Sequence, residues 1–140
     1  MEFIKSNILK HPNLKHAFCL RSGGVSPHPY KSLNCSYYVG DQNINVKKNH
    51  ELILKSLNFE KSFSVKQVHS NKVVCAEDHL SKNTEIEADA IICKSFDLAI
   101  SVTTADCAPL LIFDRKQLIV GAAHAGWKGA VRGITDNLIE

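Results

Sequence analysis

The chain has 140 residues, 44% of them hydrophobic and 22% charged, and a formal net charge of +3. That is one domain's worth of an ordinary globular composition, long enough to bury a core. The small charge on scattered lysines excludes a nucleic-acid footprint, no run reaches the roughly 18 apolar residues of a membrane span, and five cysteines without a CxxC pair argue for a reducing cytoplasm over a disulfide framework.

In chain order, the start at Met1 lacks the basic and apolar runs of a signal peptide. Residues 22–33, with Gly23, Gly24, Pro27 and Pro29, form the one loop-like stretch. Led by Arg21, it is either a plain surface loop or an anion cradle of backbone N–H groups and a guanidinium. Residues 44–58 carry Val46, Ile53, Leu54 and Leu57 at helical spacing and predict an amphipathic helix. Residues 63–68 alternate as a strand, with Phe63, Val65 and Gln67 on one face. Past the polar turn at Ser70 and Asn71, residues 72–76 read as the return strand of a hairpin. Residues 89–93 make another buried strand. The strands at 98–104, 109–114 and 118–123 are expected at the buried centre. The tight turn at Arg115 and Lys116 predicts an antiparallel hairpin, hence a mixed sheet. Val131, Ile134, Leu138 and Ile139 then recur with helical spacing to Glu140, with neither glycine C-cap nor proline stop. The sum is one α/β domain across 1–140, a mixed sheet with flanking helices.

Three strand-end segments carry the candidate chemistry. His124-Ala-Gly-Trp-Lys-Gly129 joins a strand to a helix, where α/β proteins place reactive side chains. Cys107 follows Asp106 between two strands, and Pro109, which lacks an N–H, is expected to break the pairing there. His69 ends the strand of Gln67-Val-His-Ser70. Each has a plain structural alternative: a turn with a packing Trp127, a small buried thiol, a structural imidazole. Together, two histidines and a cysteine suit an open zinc site, and equally a Cys–His nucleophilic pair. Cys19, Cys35, Cys75 and Cys93 are taken as packing residues, and His11, His16, His28, His50 and His79 as surface residues.

Four stretches in order resemble the YfiH-like purine nucleoside phosphorylases, also called laccase-domain proteins or polyphenol oxidoreductases. They are Arg21-Ser-Gly-Gly-Val-Ser26, Gln67-Val-His-Ser70, Thr104-Ala-Asp-Cys-Ala-Pro109 and His124-Ala-Gly-Trp-Lys-Gly129. Weaker matches are Ser32-Leu-Asn34, Gly40-Asp41, Asn49 and Ala88-Asp-Ala90. The resemblance implies a YfiH-like α/β fold, shared with cytotoxic necrotizing factors, and a metal on His69, Cys107 and His124. The metal is expected to be zinc, with copper as the alternative. It also implies phosphorolysis of adenosine, inosine and methylthioadenosine with adenosine deamination alongside, so purine nucleoside and phosphate are the expected partners. Within that reading Cys107, Asp106 and His124 are catalytic, Asp106 as a proton shuttle. Arg21 is the phosphate clamp and Asn34 a further substrate contact. Lys128 stands where the family has Arg, and an ammonium lacks the planar fork of a guanidinium. The family also continues beyond Glu140, so the chain reads as the N-terminal part of a longer protein. An uncovered apolar surface, self-association or marginal stability, and weak phosphorylase activity are expected to follow. The other readings are a metal-free cysteine amidase, copper-based phenol oxidation, and an inactive remnant.

Overall fold

In the computed structural model, which describes residues 1–81 and 84–140, the chain divides into two units, Met1–Glu60 and Lys61–Glu140. The first unit is built around one helix. Helix α1 spans Asn43–Leu57 and ends at Asn58, whose left-handed backbone (φ 54°, ψ 52°) turns its N–H back to the carbonyls of Leu54 and Lys55. Asn tolerates that conformation better than other non-glycine residues, which is why the helix stops there. Val46 is fully buried on α1, while Ile53, Leu54 and Leu57 are only half-buried. The other buried position is polar: Asn49, fully enclosed. Its amide accepts from the Val25 N–H (2.8 Å) and donates to Ser26 Oγ (2.9 Å) and the Asn34 carbonyl (2.7 Å). The loop at 22–33 is therefore wired onto the helix. Ahead of it, β1 (Phe3–Ile4) and β2 (Phe18–Cys19) form a two-residue antiparallel pair.

The second unit is layered. A four-stranded sheet runs β4 (Val73–Cys75), β5 (Ala90–Cys93), β8 (Ile119–Ala125), β7 (Ala108–Asp114). β4 and β5 are parallel, and β8 is antiparallel to both β5 and β7. One face packs Ala90, Ala123, Leu110 and Ile112 against Ile134 and Leu138 of the closing helix. The other packs Val74, Ile91 and Cys93 against Phe63, Leu98 and Ile100. Those residues belong to a second, two-stranded parallel sheet of β3 (Lys61–Phe63) and β6 (Leu98–Ile100). After β4, a 3-10 turn at Ala76–Asp78 places Glu77 at the end of β5. There it accepts from the N–H groups of Lys94 and Ser95, both at 2.8 Å, and from the thiols of Cys75 and Cys93.

The mixed α/β architecture and the hairpin at Arg115 and Lys116 agree with the sequence expectations. Residues 63–68 and 72–76 do not form a hairpin. The strand expected at 63–68 keeps only Phe63, as the last residue of β3, with an isolated parallel bridge from Lys66 to Glu87; β3 and β4 pair instead with β6 and β5, both in parallel. The strand expected at 98–104 stops at Ile100 and belongs to the smaller sheet, so the centre of the larger sheet is β5 and β8. Pro109 does not break β7, which starts at Ala108; β7 is an edge strand, where a missing N–H is tolerated. The C-terminal helix is interrupted. α2 covers Trp127–Val131 and α3 Ile134–Ile139, with Gly133 between them at φ 80°, a conformation glycine adopts without steric cost. Val131 consequently lies 83% exposed, off the face carrying Ile134 and Leu138.

All five cysteines are free, and Cys19 lies at the surface and not in packing. Nor are all five unassigned histidines plain surface residues. His16 accepts from the Ser6 N–H, His50 stacks on Tyr37 and His79 on Phe63.

Candidate metal centre

Register builds this site. Ala90 opposes Ala123 in the antiparallel β5–β8 pair, so Asp89 comes opposite His124, and the His124 N–H donates to the Asp89 carbonyl at 2.8 Å. Opposed residues share a face of a sheet, so the two side chains lie together. The imidazole Nδ1 is 2.8 Å from Asp89 Oδ1, with both residues buried. His69 arrives from the segment after β3 with a left-handed backbone, φ 58°. Cys107 is the residue just before β7. Gln67 ties the two segments together: its amide donates to the Thr103 carbonyl (2.7 Å) and accepts the Thr103 N–H (2.8 Å).

The result is a three-donor cluster. One ligand atom each from His69, Cys107 and His124 lies within 4.8 Å of the others, and among the described residues this is the one such group. The two imidazoles meet edge to face at 4.8 Å, and Cys107 Sγ is 4.0 Å from His69 Nε2. Burial grades from an exposed His69 through Cys107 to an enclosed His124. Gly126 keeps the space clear, for a Cβ there would come 2.7 Å from His69 Cδ2 and 3.3 Å from Cys107 Sγ. A cavity of about 490 Å³ opens over the cluster, lined by His69, Asp106, Cys107, Ala108, Ala125 and Trp127. A larger cavity in the first unit, among Lys5, Lys10, Lys15, His11 and His16, lacks a thiol or carboxylate donor.

The electrostatics follow from these contacts. Desolvation, then the charge of Asp106, pushes the Cys107 thiol up. Burial alone would raise the Asp89 carboxyl, but hydrogen bonds from His124, Ser70 and Val68 outweigh it and hold it below the usual range. Two imidazoles and a thiol in one tight group form a donor set that could hold a single metal ion.

The other expected residues have the following surroundings. Asp106 is exposed on the cavity wall. Arg21 directs Nε and Nη2 to the Lys31 carbonyl (3.2 and 2.8 Å), closing its own loop. Within that loop the Gly24 N–H donates to Ser32 Oγ, and the Ser26 N–H to the Ser32 carbonyl, so these are not open anion donors. Asn34 donates to the Ser36 carbonyl and Asp41 Oδ2. Trp127 is 72% exposed, with Lys128 Nζ 5.6 Å from its ring centre. Asp89 and Gln67 lie within the matched stretches Ala88-Asp-Ala90 and Gln67-Val-His-Ser70 but carry no role in the sequence reading, and Thr103 carries none either. The available signal for Asp89 was a carboxylate opening an otherwise apolar run.

Residues 15–140 match the family described as multi-copper polyphenol oxidoreductase laccase. The chain belongs to this laccase family. Similar curated family members are named purine nucleoside phosphorylase. That of Deinococcus radiodurans is 36% identical over 137 residues, covering 95% of this chain and 52% of its own. That of Staphylococcus saprophyticus is 32% identical over 138 residues, covering 91% and 52%. Among solved family structures, a Neisseria meningitidis protein matches with TM-score 0.89 and 36% identity, over 98% of this chain and 55% of that one. The YfiH protein of Bacillus licheniformis gives 0.77 and 28%, over 88% and 49%. The chain thus spans about half the length of the laccase-family relatives it matches.

Proposed function

We propose that the chain carries the metal-binding part of a purine nucleoside phosphorylase acting on adenosine, inosine and methylthioadenosine, with adenosine deamination as a second activity. The observation that supports this best is the cluster of His69, Cys107 and His124 donor atoms within 4.8 Å beneath an open cavity. The names of the relatives supply the reaction class.

His69, Cys107 and His124 would hold the ion, as zinc with copper the alternative. Bound there, it would supply Lewis acidity and a water acidified towards neutrality. Asp106 lines the cavity and, in this reading, would exchange a proton with solvent in deamination. The exposed indole of Trp127 offers a flat face on which a purine can stack. Motif resemblance assigns phosphate to Arg21 and a substrate contact to Asn34. In phosphorolysis a phosphate oxygen bonds to ribose C1′, the C1′–N bond breaks, and the base leaves with a proton.

The metal-free amidase reading is less well supported. Its nucleophile should be an acidified thiol, whereas burial and Asp106 push Cys107 up.

Base release from each nucleoside, with and without phosphate and after chelation, tests the proposal; ammonia release tests deamination. Zinc-dependent base release that needs phosphate is expected. Unchanged turnover after complete metal removal would overturn the reading. Rapid iodoacetamide alkylation of Cys107 in protein purified without metal would favour the amidase.

A further inference from the structure

The proposed function uses three donors and leaves Asp89 without a role. A fully buried carboxylate is costly unless its oxygens are satisfied. Here Oδ2 accepts from the Val68 N–H (3.2 Å), the Ser70 N–H (2.6 Å) and Ser70 Oγ (2.7 Å). Oδ1 accepts from the His69 N–H (3.0 Å) and faces His124 Nδ1 (2.8 Å). Four of the five partners donate, and an ionised carboxylate only accepts, so the fifth must donate as well. His124 then carries a proton on Nδ1, and the neutral ring has its lone pair on Nε2, the nitrogen left for the cluster. The same carboxylate gathers three consecutive backbone N–H groups around His69. Its φ of 58° is uncommon for a non-glycine residue and persists only when its surroundings over-determine it.

We infer that Asp89 is the positioning residue of this centre, fixing the tautomer of His124 and the backbone of His69 through one side chain. Its effect on metal affinity rests on the metal reading above; its effect on tautomer and backbone does not.

Asp89→Asn separates the two. An amide presents one acceptor and one NH2 group. The oxygen is expected on the three-donor side, which aims the NH2 at His124 Nδ1 and at the His69 N–H. His124 should then move its proton to Nε2, and zinc affinity should fall by about 10–100-fold, the usual effect of losing a carboxylate behind a ligating histidine. Nitrogen-15 NMR of the imidazoles in the metal-free chain reads the tautomer, and zinc titration against a competing chelator reads affinity. Ser70→Ala, which removes one donor and keeps the carboxylate, should leave the tautomer unchanged and affinity much closer to the parent. An Asp89→Asn chain with unchanged tautomer and unchanged zinc affinity overturns the inference. If that variant does not fold, the parent chain decides it, since a neutral His124 with its proton on Nε2 and none on Nδ1 overturns it directly. A parent chain that binds no zinc but shows Nδ1–H on His124, lost in Asp89→Asn, would overturn the metal reading and uphold the positioning role.

Discussion

Gly126 sits where the cluster has no room to spare. A methyl group there would meet a ring carbon of His69 at 2.7 Å, inside any normal contact, and the thiol of Cys107 at 3.3 Å. Gly126→Ala should therefore displace an exposed ligand more than the core. Zinc affinity is expected to drop by at least tenfold while the melting temperature shifts by only a few degrees, measured by chelator competition and thermal unfolding. Cys107→Ser should also cost zinc strongly and spare the fold, because Cys107 lies ahead of β7 and outside the buried clusters. Full metal content and full activity on adenosine in that variant would refute the assignment. The three donors were legible in the sequence because each lies within a distinctive motif at or near the end of an expected strand. Asp89 was legible only as part of the motif match Ala88-Asp-Ala90; its role was not, since an acid ahead of a buried strand is hard to tell from a turn residue until register sets it against His124. Arg21 is a milder case: its basic character was visible, but not that Lys31 would occupy its guanidinium.

Helix α3 tests how its element is held. Ile134 is fully buried against β5 and β8, whereas Val131, three residues earlier, is 83% exposed. Ile134→Ala should cost about 2–5 kcal/mol by urea unfolding, and Val131→Ala no more than about 0.5 kcal/mol. Equal costs would mean one continuous amphipathic helix and no break at Gly133. Helical spacing could not reveal that break, because a glycine inside a periodic run reads as a tolerated exception. Strand partners were similarly hidden. The turn at Arg115 and Lys116 is local, so the β7–β8 hairpin could be read directly. The parallel pairs β3–β6 and β4–β5 join segments far apart in the chain; alternation shows which face of a strand is buried but not what lies beside it.

Across the whole molecule, Asp89 and Glu77 make stability acid-sensitive. Burial opposes ionisation of Glu77, but donation by Cys75, Lys94 and Ser95 prevails, and its carboxyl, like that of Asp89, titrates below the ordinary range. The unfolded chain takes up these protons first as pH falls. Their contribution is complete above the free-carboxyl pKa of about 4 and is lost as pH falls from there through the lower folded values. The urea midpoint should decline over that window, and Glu77→Gln should flatten the decline; an unchanged slope in the variant would remove Glu77 from the account. Phe96, Trp127, Val131 and Ile139 are each well exposed, and Trp127 and Val131 lie on the same short helix α2. Light scattering is expected to show self-association, and a strictly monomeric chain at high micromolar concentration would contradict it. Lastly, because Gln67 and Thr103 already fasten the His69 segment to the Cys107 segment, an arriving ion finds its cradle assembled. Metal uptake should then order little chain and dehydrate little apolar surface. Titration calorimetry at several temperatures should give a binding enthalpy that hardly changes with temperature, in contrast to the steep negative slope of coupled folding and binding. Zinc would be captured by a rigid mould and would not itself draw the chain together.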